Sequence, residues 1–491
     1  MSKNGSGQSN FPKNGFSRRD FLKTGALSGL FLGSTGLVGC TAPGTSRDFA
    51  GRAKNVIFMV SDGMSSGTLT MADSMLRRRD GRPSNWIRLY EEGNVSRGLM
   101  DMASANSIVT DSAAAASSWG CGVRIVNGAV NMGPDGEEFP ILLPMFRDAG
   151  KATGLVTTTR ITHATPAGFS VHSPQRGLED EIAEKQVAGG FDVMFGGGNT
   201  HFDPAIRPDG KDLYAQASGS GYKILRTKNE MQAWNGSEKV LGIFSDSHVP
   251  YTIDHLNTPD LLEKVPTLAE MTRSALNRLS QNPNGFIMQI EGGRVDHAAH
   301  NNDVAGLIFD QIAFDDAISV VLEFTENRDD TLVIITSDHG NANPGLNAEG
   351  SYYNDSNTNF DKIRDFRYSN DWILSGLNRE SSITAIQARI EEATGLPVSR
   401  RHAEILRQAY RDEYNPPYTM MRRPSPALGQ IIADHTSVNW VGTGHTSDYV
   451  ELAAYGPGSE AIGGFTRNTD LFGIINKAAG VQVPESSAYP A

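Results

Sequence analysis

The sequence predicts an α/β fold, with a mostly parallel central sheet flanked by helices on both faces. Short apolar runs of strand length alternate with segments of helical spacing, which is the pattern of such folds. Glycine is abundant, at 52 of 491 residues, and many tight strand-to-helix turns require glycine. The chain is also long enough for one large α/β domain with insertions or for two domains.

Four segments have the composition of strands that are buried on both faces. Each is a β-branched or apolar run of strand length, as expected in a parallel sheet covered by helices. These segments are residues 55–60, 154–160, 286–290 and 331–336. They supply the predicted core strands of the sheet.

Three segments between these strands favour helices. Residues 112–119 begin with Ser112 and continue through an alanine run, and alanine is the best helix former. Residues 261–280 and 304–326 have apolar side chains at helical spacing. We expect these helices to cover the faces of the sheet.

The alternation is interrupted between residues 345 and 433. The first part, residues 351–357, is typical of a loop, whereas residues 384–394 and 402–414 have the pattern of amphipathic helices. We interpret residues 345–433 as an insertion into the sheet domain rather than as an independent domain.

The N-terminal segment is typical of export rather than of a fold. Residues 17–23 (SRRDFLK) resemble a twin-arginine signal, and a weakly apolar stretch leads to a lipobox-like sequence, LVGC, that ends at Cys40. We predict a signal peptide over residues 1–39, a tether over residues 40–54 and a catalytic domain over residues 55–491. A plain signal peptide with a chance cysteine is the alternative.

This interpretation predicts an exported protein of the periplasm or cell surface, whose only membrane contact is the lipid on Cys40. Thr41 follows this cysteine in place of the aspartate associated with inner-membrane retention, which favours the outer membrane. The other cysteine is Cys121, so lipidation of Cys40 leaves no partner for an intramolecular disulfide. The net charge of −12 argues against a nucleic-acid-binding surface.

Acidic and imidazole side chains follow three of the predicted strands. Asp62 follows the first strand, Glu291 follows the strand at 286–290, and Asp338 and His339 follow the last strand. In open α/β sheets, sites form beyond the carboxyl ends of the strands, so we expect these side chains to converge at one edge. The Asp338–His339 pair offers the oxygen and nitrogen ligands that zinc binds.

Two further features extend this set. Asp296 and His300 are four residues apart, which places them on one face of a helical turn, and His445 lies in a glycine-flanked turn downstream. Ser112 begins the alanine-rich helix directly after Asp111. Unpaired N–H groups and the helix dipole favour an anion such as a phosphoryl group at that position, although Ser and Asp are also ordinary caps.

The motifs together resemble bacterial and animal alkaline phosphatases, in register from about residue 55 to residue 458. The matching sequences are VSDGM, VTDSAAAA, THATPAG, EGGRVDHAAH, SDHG, and GHT followed by AAYGP. The resemblance implies hydrolysis of small phosphate monoesters through a phosphoserine, with two zinc ions and one magnesium ion. It also implies a homodimer, with the insertion forming a crown.

By the same resemblance, Ser112 is the nucleophile and three sets of side chains bind the metals. The first zinc set is Asp296, His300 and His445. The second zinc set is Asp62, Asp338, His339 and Ser112. The magnesium set is Thr165, Glu291 and the shared Asp62.

The resemblance also implies that Arg176 clamps the phosphate and that Asp111 orients this arginine. His163 and His297 occupy positions near the phosphate and the third metal, where other members carry aspartate and lysine. We favour hydrogen bonding over direct metal ligation for both, and the identity of the third ion, magnesium or zinc, stays open. The remaining histidines, His248 among them, have no motif and are interpreted as structural or surface residues.

Two other functions remain as alternatives. A phosphodiesterase or sulfatase of the same superfamily would use the same fold, but sulfatases need a Cys/Ser-x-Pro-x-Arg motif and none surrounds Ser112. A non-catalytic phosphate- or metal-binding lipoprotein would need no nucleophile.

Overall fold

A computed structural model describes residues 49–484. The predicted signal peptide, Cys40 and most of the tether lie outside the described residues. The described part is an α/β fold, as predicted, built around a ten-stranded sheet in the order β14-β2-β13-β8-β1-β7-β3-β4-β6-β5. The ten strands are β1 (Asn55–Ser61), β2 (Ser96–Asp101), β3 (Ala152–Arg160), β4 (Val193–Gly197), β5 (Tyr222–Leu225), β6 (Lys239–Ile243), β7 (Phe286–Gly292), β8 (Thr331–Thr336), β13 (Val450–Tyr455) and β14 (Gly464–Arg467).

The sheet is parallel except at β13, which pairs antiparallel with both β2 and β8. Two small antiparallel pairs lie outside it. One joins β9 (Gly340–Asn341) to β12 (His445–Thr446), and the other joins β10 (Gly345–Leu346) to β11 (Val438–Asn439).

Nineteen α-helices lie within residues 49–484. They are α1 (Ser66–Asp80), α2 (Asn85–Glu92), α3 (Ser112–Cys121), α4 (Leu142–Asp148), α5 (Ala164–Ser170), α6 (Glu179–Gly189), α7 (Leu213–Gly219), α8 (Lys228–Ala233), α9 (Thr252–Asn257), α10 (Pro259–Lys264), α11 (Leu268–Leu279), α12 (Arg294–His300), α13 (Val304–Thr325), α14 (Asp355–Asp361), α15 (Asn370–Ser375), α16 (Ile383–Thr394), α17 (Arg400–Tyr410), α18 (Pro424–Thr436) and α19 (Asp470–Ala479). None of them has the length and apolarity needed to cross a bilayer.

Apolar side chains pack on both faces of the sheet, as the continuous apolar runs predict. In β1, Ile57 and Met59 belong to one buried cluster, while Val56, Phe58 and Val60 belong to the other. Successive strand residues point to opposite faces, so a strand between two helical layers needs apolar residues at every position.

Two predicted segments differ from the structure. The helical pattern over residues 261–280 is divided between α10 and α11, because the residue before Pro266 is biased away from helical geometry. The predicted loop over residues 351–357 ends early, since α14 begins at Asp355. Residues 345–433 contain β10, helices α14 to α17 and most of α18.

Candidate active site

The candidate site lies where β1, β3, β7 and β8 end. Glu291 of β7 pairs in register with Val60 of β1 and with Thr157 of β3, and Val60 pairs with Thr336 of β8. The residues that follow these positions therefore meet at one edge of the sheet. Asp62 comes directly after β1, and the SDHG turn comes directly after β8.

Ser112 begins α3 at this edge and is buried. The Asp111 carboxylate caps the helix by accepting a hydrogen bond from the Ala114 N–H at 2.9 Å. This cap holds the first turn of the helix in place. The Ser112 Oγ lies 3.3 Å from the Nε2 of His339.

Asp296, His300 and His445 form the first cluster. The two Nε2 atoms of the histidines are 3.1 Å apart, and Asp296 oxygens lie 3.4 Å and 3.7 Å from them. The Nδ1 of His300 is 2.7 Å from the Thr443 carbonyl, and the Nδ1 of His445 is 2.9 Å from the Thr110 carbonyl. Because a carbonyl accepts, each Nδ1 is the donor, which leaves both Nε2 lone pairs facing the carboxylate.

Asp62, Asp338 and His339 form the second cluster beside Ser112, and all three side chains are fully buried. The Nε2 of His339 lies 3.1 Å from Asp338 Oδ2 and 3.7 Å from Asp62 Oδ1. The Asp338 Oδ1 accepts a hydrogen bond from the Gly63 N–H at 2.9 Å. The rings of His339 and His445 stack with centroids 3.6 Å apart, so the first and second clusters are in contact.

Asp62 also belongs to a third cluster, with Glu291 and His163, whose ligand atoms all lie within 4.8 Å of one another. The Oγ1 of Thr165 is 3.5 Å from Asp62 Oδ2. Glu291 Oε2 accepts hydrogen bonds from Thr157 and Thr159.

Buried groups without donors indicate that these clusters are built for cations. Asp62 Oδ1 and Glu291 Oε1 are buried and have no hydrogen-bond partner among the described residues. Burial and the neighbouring carboxylates raise the pKa of Asp62 well above its usual value, and burial raises the pKa of Glu291 to about 7. Buried carboxylates are stable when they are paired or bind metals, so the donor set fits divalent ions.

Arg176 reaches the site from the segment after α5. Its Nη1 donates to Asp111 Oδ2 at 3.1 Å, and its Nη2 donates to His163 Nε2 at 3.2 Å. Asp111 thus caps α3 and also orients this guanidinium. The ring of His297 lies 5.6 Å from that of His163, and Arg294 donates to its Nδ1 at 3.0 Å.

The alkaline phosphatase family model matches residues 53–481. The chain belongs to the alkaline phosphatase family. The predicted family and the predicted enzyme class, a phosphoric monoester hydrolase, are therefore confirmed.

Individual relatives agree with this family assignment. The chain is 30% identical to alkaline phosphatase 4 of Bacillus subtilis over 434 residues, which cover 86% of this chain and 88% of the relative. The crystal structure of Thermus thermophilus alkaline phosphatase superposes with a TM-score of 0.83 at 33% identity and covers 91% of this chain and 96% of its own.

A third relative bears on the metals of the alkaline phosphatases. A His-to-Asp mutant of the TAB5 alkaline phosphatase has Mg bound in its M3 site. It superposes with a TM-score of 0.62 at 25% identity and covers 88% of this chain and 99% of its own.

Two residues without a sequence motif lie beside the candidate site. The ring centroid of His248, which we interpret as a structural or surface residue, is 4.3 Å from that of His297 and 5.6 Å from that of His163. It comes from the loop after β6, where no motif marks it. Asn341 donates to Asp296 Oδ1 at 2.7 Å. The sequence does contain a signal for the third cluster. Thr157 and Thr159 at the end of β3 are two residues apart, so their side chains face the same side of the strand.

Proposed function

We propose that this chain hydrolyses small phosphate monoesters through a phosphoserine formed on Ser112. The observation that carries the proposal is the position of Ser112 Oγ. It is buried at the start of α3, 3.3 Å from His339 Nε2. It lies beside clusters of carboxylate and imidazole groups whose lone pairs face one another. Membership of the alkaline phosphatase family supports phosphatase activity.

In this proposal three cations occupy the three clusters. Asp296, His300 and His445 would hold one zinc ion, and Asp62, Asp338 and His339 would hold the other, next to Ser112. Asp62, Thr165 and Glu291 would hold magnesium, with His163 adjacent, and the Mg in the TAB5 mutant supports a site of this kind in the family. Bound divalent ions lower the pKa of hydroxyl groups and water and neutralise charge on phosphoryl oxygens.

The Ser112 hydroxyl loses its proton to solvent, and its Oγ attacks the phosphorus and forms the new P–O bond. The bond between phosphorus and the alcohol oxygen breaks, and the alcohol leaves with a proton from solvent. The attacking and departing oxygens stand on opposite sides of the phosphorus. We place the departing oxygen towards the cluster of Asp296, His300 and His445, which adjoins the second cluster through the stacked rings of His339 and His445. Water then attacks from the vacated side, and phosphate is released as Ser112 is restored.

Arg176 binds the phosphoryl group in this scheme. Its planar guanidinium matches two oxygens of a phosphoryl group, and Asp111 and His163 hold it before the substrate arrives. A monoester has three free oxygens, so two can contact the guanidinium while the third faces the clusters, whereas a phosphodiester has only two in all. The clamp and the clusters together therefore favour monoesters over the alternative diester substrates.

The central experiment replaces the nucleophile. Ser112→Ala is expected to lower hydrolysis of an aryl phosphate on the order of 10³-fold or more, while elemental analysis still finds the bound metals. Ser118→Ala is the matched control, because Ser118 lies on the same helix and its Oγ only donates to the Ala114 carbonyl. Wild-type turnover in Ser112→Ala would refute the nucleophile.

A second measurement tests the intermediate and the substrate class. Acid quenching during turnover should trap one phosphoryl group on the peptide that contains Ser112, as seen by mass spectrometry. An aryl phosphate should be a better substrate than a bis-aryl phosphate. Tight phosphate binding without turnover would instead favour the non-catalytic alternative.

We also propose that the chain is exported and held to a membrane by a lipid on Cys40. The proposal depends on the LVGC sequence and the SRRDFLK segment before it. Cys40→Ala is expected to move the activity from the membrane fraction to the soluble fraction of the cell envelope. An unchanged distribution would rule out this anchor.

A further inference from the structure

Arg423 is an arginine of the insertion that lies at the edge of the candidate site. It is exposed, directly before α18, and its Nη2 donates to the Thr443 Oγ1 at 3.0 Å. Within residues 49–484, no carboxylate lies within ion-pair distance of it, and its other N–H groups have no acceptor. Its charge is therefore available to a ligand.

Thr443 connects Arg423 to the first cluster. The Thr443 carbonyl accepts a hydrogen bond from His300 Nδ1 at 2.7 Å, so one residue separates the guanidinium from His300. Arg423 therefore lies on the side of the site that holds the cluster of Asp296, His300 and His445.

The other arginines around the site are already paired. Arg176 contacts Asp111 at 3.1 Å, Arg160 contacts Glu179 at 2.5 Å and Arg294 approaches Asp371 at 3.8 Å. Arg423 differs from these three in having no carboxylate partner among the described residues. The neighbouring Arg422 donates only to the neutral Asn415 amide oxygen, at 2.8 Å, which makes it a matched control.

We propose that Arg423 forms a subsite for a second anionic group on the alcohol portion of the substrate. The proposal depends on the proposed function, in which the departing alcohol oxygen faces His300. The substrates that fit are monoesters whose alcohol carries another phosphate or a carboxylate a few bonds away. A guanidinium is suited to either group, because its parallel N–H donors match two oxygens.

The test compares two esters that share one carbon chain, propane-1,3-diol monophosphate and propane-1,3-diol bisphosphate. The measured quantity is the ratio of kcat/KM for the bisphosphate to that for the monophosphate, at low ionic strength. In Arg423→Gln this ratio is expected to fall about fivefold, the size of effect that one exposed ion pair produces. Arg423→Lys, which keeps the charge, should retain most of the ratio.

Arg422→Gln is the matched control and should leave the ratio unchanged. An unchanged ratio in Arg423→Gln, or an equal fall in Arg422→Gln, would overturn the subsite. If the wild-type protein hydrolyses neither ester, the proposed function fails. Calorimetric binding of propane-1,3-bisphosphonate and of propylphosphonate then decides: loss of the bisphosphonate preference in Arg423→Gln supports the subsite, and an unchanged preference refutes it.

Discussion

At the scale of single residues, the Asn341 side chain holds the Asp296 carboxylate in place. Its Nδ2 donates to Asp296 Oδ1 at 2.7 Å and to the Asp296 carbonyl at 3.2 Å. Without these bonds the carboxylate would be free to turn away from His300 and His445. Groups that orient metal ligands in this way are typically worth 10- to 100-fold in metal affinity.

We therefore expect Asn341→Ala to weaken zinc binding by about 10- to 100-fold, as measured by competition with a chelator. Asn347→Ala is the control, because its amide only donates to the Gly345 carbonyl on an exposed loop. Equal zinc affinities in the wild-type protein and in Asn341→Ala would contradict the role given to this amide.

Single residues also show how much of the site the sequence predicts. Asp62, Asp338 and His339 follow buried strands, and the rule for parallel sheets correctly expects them at one edge. His248 has no such marker, because its place depends on the path of the loop after β6. Contacts between distant loops are a property of the folded chain, which strand patterns do not encode.

At the scale of elements, helices α3 and α5 cross with their backbones in close contact. A Cβ on Gly168 of α5 would lie 2.5 Å from the Ala116 Cβ and 2.9 Å from the Ala116 carbonyl carbon. A Cβ on Gly120 of α3 would overlap the Gly168 carbonyl. The crossing fixes the two helices that bear Ser112 and Thr165.

Gly168→Ala is expected to destabilise the protein by about 1–3 kcal/mol, the usual result of overpacking, and to lower kcat by separating the two helices. Urea unfolding and turnover of an aryl phosphate measure the two effects. Gly473→Ala in α19 is the control, because a Cβ there meets nothing within 4 Å. A Gly168→Ala protein as stable as the control would show that the crossing tolerates a methyl group.

The sequence predicts the ends of some helices and strands more accurately than those of others. The strand at Thr331–Thr336 matches its predicted range, and α13 ends one residue before its predicted end. Both are long or strongly apolar segments. The break between α10 and α11 is predicted poorly. The apolar spacing is continuous across it, so the spacing alone does not show that Pro266 biases the preceding residue away from helical geometry.

Buried carboxylates make the stability of the whole molecule depend on pH. Burial raises the pKa of Asp310 in α13 to about 7 from the usual 3.8, although Arg294 and the hydrogen bonds from Thr252 act in the other direction. The folded protein therefore binds this proton more tightly than the unfolded chain. Its contribution is fully present below about pH 4 and is lost as the pH rises towards 7.

Asp310→Asn removes the titrating group and keeps a similar shape. Relative to the wild-type protein, we expect its free energy of unfolding to rise by up to about 4 kcal/mol between about pH 4 and about pH 7. Urea unfolding across this range measures the difference. Asp329→Asn, on the exposed turn after the same helix, is the control. A difference that does not vary with pH would contradict the assignment to Asp310.

The two ends of the described chain meet on the side of the molecule away from Ser112. The Gly51 N–H donates to the Lys477 carbonyl at 2.9 Å, and the Ala53 N–H donates to the Ala478 carbonyl at 2.8 Å. From there the chain enters β1 at its amino end, and seven residues of strand, about 20 Å, lead to Asp62 at the opposite edge. An attachment made at the N-terminal end of the described chain therefore lies at the edge of the sheet opposite the candidate site.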